Sequence, residues 1–144
     1  MRITLVVLTG LYTVLVEGDD LTEPISDSVR AILDGHIVLS RQLSSHNHYP
    51  AIDVLESISR LMIDVAPKEQ MSLAMQFKDI LATYREAEDL INIGAYVKGS
   101  NPKIDNAIDR IELLNQFFRQ GIAESADFSE SLIQLEEILH APLS

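Results

Sequence analysis

Residues 67–94, PKEQMSLAMQFKDILATYREAEDLINIG, decide the fold class. Leu73, Phe77, Ile80, Leu81, Tyr84, Ala87 and Ile91 step by three and four residues, which puts them on one face of a long α-helix. Gly94 can close that helix, because a left-handed backbone carries no penalty without a Cβ. Further along, Asn101-Pro102 pairs an N-cap with a first-turn proline. Ile104, Ala107, Ile108, Ile111, Leu114 and Phe118 then stripe a second helix, which Gly121 stops. Asp127 is placed to cap a third, with Phe128, Leu132, Leu135 and Leu139 facing inward. Helices with one apolar stripe each predict a small helical bundle.

Toward the N-terminus the pattern changes. Residues 11–16, LYTVLV, read as a strand covered on both faces. Pro24 opens a helix with Ile25, Val29, Ile32 and Leu33 on one face, ended by Asp34-Gly35, and residues 36–40, HIVLS, read as a second strand. Strand, helix, strand predicts a fragment of a parallel α/β sheet. Two strands and a helix are not self-sufficient, so this portion reads as the edge of something larger. Unpaired edges around residues 11–16 also predict self-association. Residues 46–62, HNHYPAIDVLESISRLM, read as a turn into an apolar segment that ends in a lone arginine, Arg60. The expected fold class is therefore mainly α with a small α/β portion, divided into residues 1–65 and 66–144.

Composition narrows the function. With 22 acidic against 11 basic residues the net charge is −11, so a nucleic-acid backbone is an unsuitable partner. A hydrophobic content of 47% and six glycines describe a chain with a real core rather than a disordered one. No cysteine is present, which removes disulfides and thiolate metal sites and suits a reducing compartment. The apolar opening, MRITLVVLTGLYTVLV, falls short of the roughly 20 residues of a membrane-spanning helix. It is also richer in Val, Ile and Thr than an export signal, and reads as core strand.

Few residues carry recognisable chemistry. His46-x-His48 lacks a third ligand at a useful spacing and reads as a solvated turn, so no metal site is expected. Glu17, Asp19 and Asp20 follow a strand, where α/β proteins place ligand loops, yet read more simply as an exposed loop. No GxxxxGK[ST], GxSxG or HExxH occurs. By its own residues the chain has no phosphate cradle and no nucleophile. Arg60 stays charged at every physiological pH and wants an anion.

Three long blocks carry a resemblance: GLYTVLVEGDDLTEPISDSVRAILDGHIVLSRQL, HYPAIDVLESISRLM and INIGAYVKGSNPKIDNAI. They resemble the C-terminal part of the flagellar protein-export ATPases, which are related to the catalytic subunit of rotary ATP synthases and to the ATPases of virulence type III secretion. The third block favours the flagellar branch. Ahead of Tyr12 the family's Gly-Ser-Ile-Thr is replaced by Val7-Leu8-Thr9, and no family role is carried onto residues 1–8.

The resemblance implies the C-terminal edge of a RecA-like P-loop NTPase core followed by a helical domain. It implies ATP and Mg2+ in an intact homohexamer, with neither bound by this chain alone. Arg60 falls where such ring ATPases place an arginine finger that reaches the neighbouring subunit's γ-phosphate. Tyr49, before Pro50, matches an aromatic residue that packs on adenine, and Phe128 is a weaker candidate for the other side of that pocket. The turn at residues 94–102 corresponds to the tip that faces a central stalk. The implied partners are a coiled-coil stalk protein, other export components, and export substrates or their chaperones. The implied location is cytoplasmic, peripheral to the inner membrane. A stand-alone interaction module and a virulence-system ATPase fragment are the alternatives.

Overall fold

The computed structural model describes residues 10–16, 18, 20 and 22–141. The chain divides into two compact units, Met1–Leu33 and Asp34–Ser144. In the first, Pro24 starts helix α1, Pro24–Ile32. The predicted strand at 11–16 is absent: these residues form no ladder, and Leu11, Tyr12 and Leu15 are each 94% exposed. A strand exists through its neighbour, and among the described residues none pairs with this segment. Asp20 takes hydrogen bonds from the Thr22 amide (2.9 Å) and hydroxyl (2.5 Å), so it braces a turn. Glu17 and Asp19, the rest of that acidic group, lie outside the described residues.

The second unit runs β1 (Gly35–Leu39), α2 (Arg41–Ser45), β2 (Ile52–Ser59), α3 (Met62–Val65), α4 (Lys68–Asn92), α5 (Pro102–Phe118) and α6 (Phe128–His140). β1 and β2 pair antiparallel, whereas the sequence pattern predicts residues 36–40 in a parallel sheet with residues 11–16 and no strand at β2. The missed element is β2. Asp53, Glu56 and Ser57 break its apolar alternation, and its ladder carries an irregularity opposite residues 36–38. Gly35 is required at the open end of the pair, since a Cβ there would sit 2.7 Å from the Ile58 carbonyl oxygen.

The three long helices follow the predicted stripes. Gly94, with φ +70°, ends α4: the Gly94 amide donates to the Ile91 carbonyl (3.0 Å) and the Ala95 amide to that of Leu90 (2.9 Å). Asn101 caps α5 through the Lys103 amide at 3.0 Å. That helix stops at Phe118, short of Gly121. Asp127 caps α6 through the amides of Ser129 (2.8 Å) and Glu130 (3.3 Å). The core joins Ile80 of α4, Ala107 and Leu114 of α5, and Leu135 and Leu139 of α6, with Phe77, Tyr84 and Phe118 packed against it. Phe128, the first residue of α6, departs from its predicted inward place and is 64% exposed. The observed architecture is a mainly helical fold with a small sheet.

Arg110 has no counterpart in the sequence reading. It lies in α5 and is only 7% exposed. Its Nε donates to the Leu139 carbonyl (3.3 Å), one Nη to the Ala141 carbonyl (2.9 Å) and the other to the Asn106 side chain. A buried cation is thus neutralised by the orphan carbonyls at the C-terminal end of α6, where the helix dipole is negative. Arg110→Met strands those carbonyls away from water. We expect it to destabilise the chain by about 2–3 kcal/mol, read as a lower urea midpoint.

Candidate functional site

Tyr49 stands at the N-terminal end of β2. Ser40 caps α2 through the Leu43 amide (3.3 Å), and Asn47 takes φ 55° to turn the chain back. The His48 amide then donates to the Leu43 carbonyl (3.0 Å). The Tyr49–Pro50 bond is cis. The Tyr49 carbonyl accepts from the Gln120 amide at 2.9 Å, and its hydroxyl shares a 2.7 Å hydrogen bond with the Ser44 hydroxyl. Both ends of the side chain's setting are therefore fixed, while the residue stays 52% exposed. An aromatic face held open in this way suits a planar ligand.

His48 contradicts the solvated turn expected of the histidine pair. His46 is exposed, but His48 is 6% exposed and lines a cavity of about 130 Å³ with Leu81, Tyr84, Ile111 and Phe118. Burial, with a smaller contribution from the Arg119 charge, pushes its pKa below the ordinary histidine value. The neutral ring is favoured in the folded state. Its contribution to stability is therefore complete above the unfolded-state pKa and is lost as pH falls through the depressed folded one. Between about pH 7.5 and about pH 5 the wild-type urea midpoint should fall further than that of His48→Gln, which removes this titration.

Arg60 stands at the other end of β2, one residue beyond Ser59. Its amide donates to the Asp34 carbonyl at 2.7 Å and its side chain is exposed. Asp53 organises the strand between the two ends. Its Oδ1 accepts from the amides of Leu55 (3.0 Å) and Glu56 (3.1 Å), and both its oxygens accept from Arg85 Nη2 of α4, at 3.0 and 2.9 Å. No spacing rule singled out Asp53 or Arg85. The available signal was an aspartate two and three residues ahead of amides needing an acceptor.

Phe128 does not join Tyr49. It lines a groove of about 780 Å³ with Ser59, Met62, Pro67, Leu73 and Leu132, at the Arg60 end of β2. The described residues hold no group of three His, Asp or Glu side chains fit for a metal ion. What they offer is an aromatic face and a guanidinium at opposite ends of one strand.

The turn after α4 is tied by its own bonds. The single proton of the Tyr96 hydroxyl is shared between the Asn101 carbonyl (3.0 Å) and the Asp105 carboxylate (2.9 Å), and the Gly99 amide donates to Asp105 Oδ2 (3.0 Å). Ile93 and Val97 are left 75% and 70% exposed on it. Among the described residues no helix is long and apolar enough to cross a membrane.

Comparison with known proteins aligns with this layout. The T3SS EscN ATPase C-terminal domain family matches residues 66–137, and the nucleotide-binding domain of the ATP synthase alpha/beta family matches residues 4–59. The flagellum-specific ATP synthase of Bacillus subtilis is 50% identical over 131 residues, covering 91% of this chain and 30% of that protein. The assembled ATPase EscN of the enteropathogenic E. coli type III secretion system superposes with a TM-score of 0.84 at 41% identity, over 89% of this chain and 31% of that one. EscN in complex with its central stalk EscO gives a TM-score of 0.76 at 40% identity, over 81% and 29%. The chain thus spans about 30% of the length of the relatives it matches.

Proposed function

The chain belongs to the type III export ATPase family, as its C-terminal part, related to the catalytic subunit of rotary ATP synthases; on that premise we propose that it supplies a trans-acting arginine finger and part of an adenine pocket to a flagellar protein-export ATPase. Arg60 is the finger. Its exposed side chain at the end of β2 reaches the γ-phosphate held by the next protomer. There a planar, permanently charged fork stabilises the charge that builds on the γ-oxygens during transfer. Tyr49 stacks on adenine in this chain's own site. The observation that carries the reading is their separation. Tyr49 and Arg60 flank β2 from opposite ends, as two residues serving two different nucleotides should.

The P-loop and the Mg2+ ligands belong to sequence this chain does not contain, so ATP and Mg2+ bind only in the complete ring. The adenine role of Phe128 rests on the resemblance alone. The assembly is a homohexamer, and the tied turn with Ile93 and Val97 meets a coiled-coil stalk. EscN assembled with EscO supports that arrangement. Residues 1–65 are the end of the RecA-like core and 66–144 the helical domain, a division supported by the matched ranges 4–59 and 66–137. We place the complete protein in the cytoplasm at the inner membrane, with export components and substrate chaperones as further partners.

The test adds this chain to a P-loop-containing flagellar ATPase whose own finger arginine has been replaced. Stimulated ATP hydrolysis that disappears with Arg60→Ala supports the finger. Binding without stimulation would overturn it in favour of a stand-alone interaction module.

A further inference from the structure

We propose that the Asp53–Arg85 ion pair is a positioning device that braces the bulge of β2 against α4, so that the course of the strand beyond the bulge, and with it the guanidinium of Arg60, is set from the helical bundle; the proposal rests on the trans-finger reading of Arg60. The register of β1 and β2 motivates it. Val38 faces Asp53 and His36 faces Ile58, so β2 takes five steps where β1 takes two. An odd excess of three reverses which face the remaining side chains take. The direction of Ile58, Ser59 and Arg60 is therefore set by the bulge, and whatever holds the bulge aims the arginine.

Two sets of contacts hold it. From within, Asp53 Oδ1 accepts the Leu55 and Glu56 amides, and the Ser57 hydroxyl donates to the Asp53 carbonyl (2.5 Å) while accepting from the Val38 amide (3.0 Å). The Ser57 oxygen thus takes the place of a ladder carbonyl. From outside, Arg85 grips both Asp53 oxygens and lies 3.8 Å from Glu56, and Lys78 Nζ reaches the Ser57 carbonyl at 3.5 Å. Lys78 and Arg85 are two turns apart on one face of α4. That helix of 25 residues is about 37 Å long and ends in the tied turn at Gly94. The Arg85 side chain is 48% exposed, so water screens the pair and its role is placement more than stability.

Amide hydrogen exchange on the full chain tests the device. Arg85→Met should raise exchange at Leu55, Glu56 and Arg60 about ten-fold, with α5 and α6 changing less than about two-fold. Asp53→Asn likewise removes the charge pair while keeping an acceptor for the two bulge amides, so it should raise exchange at the same three amides. Unchanged exchange at the Arg60 amide in both variants would overturn the proposal. With the finger-deficient ATPase, Arg85→Met should lower the stimulated kcat about ten-fold at constant KM; an unchanged kcat in a stimulated assembly would overturn it too. Should Arg60→Ala leave stimulation intact, the finger reading fails by itself, and the exchange rates alone decide whether the pair holds the strand end.

Discussion

Arg60→Ala is expected to remove at least about 10³-fold from the kcat of the complemented ATPase while leaving KM for ATP nearly unchanged. The separation of the two constants follows from where the charge appears. In the proposed assembly, ground-state ATP is already bound by the neighbour's phosphate cradle. The arginine meets charge that develops only as the γ-phosphoryl group moves, so its loss is felt in the transition state. Arg60→Lys sharpens the test. Lysine keeps the positive charge but not the planar fork, and one donor correctly placed for an equatorial oxygen does not replace two. We expect it to recover little, remaining about 10²-fold or more below wild type. Steady-state hydrolysis over a range of ATP concentrations measures both constants. Recovery by lysine to within about two-fold would mean that Arg60 acts as a diffuse charge rather than a finger.

The largest effect on stability is expected at Leu114. Its side chain is fully buried at 0% exposure, in the cluster that joins α4, α5 and α6. Leu114→Ala removes apolar contact and leaves a cavity that the rings of Phe117 and Phe118, packed edge to face at 5.4 Å, are poorly able to fill. A loss of about 3–4 kcal/mol follows, large beside the roughly 5–15 kcal/mol of a whole domain. Circular dichroism should show a Tm lower by roughly 10 °C. Ile133→Ala on α6 is the control. That residue is 56% exposed, and its truncation should stay within about 0.5 kcal/mol. A similar loss at both positions would mean that the core does not run through Leu114.

Some of this was legible in the residues because it is local. A stripe at three and four residues, a proline at the first turn, an asparagine or aspartate before it and a glycine after it act within a turn or two of the chain. They set α4, α5 and α6, nearly to their ends. Arg60 and Tyr49 were legible for another reason: each stands in an unbroken block that resembles the export ATPases. That resemblance supplies the roles proposed for them without any knowledge of where β2 begins or stops.

What needed the tertiary structure involves partners far apart in sequence. Residues 11–16 have every intrinsic preference of a strand and still form none, since a ladder is a property of two chains side by side. β2 was hidden because its bulge spoils the alternation, and the bulge's Asp53 meets Arg85 from 32 residues away. Arg110 became a helix cap, and His48 a buried neutral ring, through contacts that no spacing rule reaches. The sequence by itself determined α1 and the three long helices and singled out the arginine proposed as the finger, because dihedral preference and side-chain type belong to each residue alone. Only the tertiary structure decided the antiparallel pairing, the outward setting of Phe128 and the clamp on the arginine's strand, because burial and long-range hydrogen bonds exist only between segments that the fold has brought together.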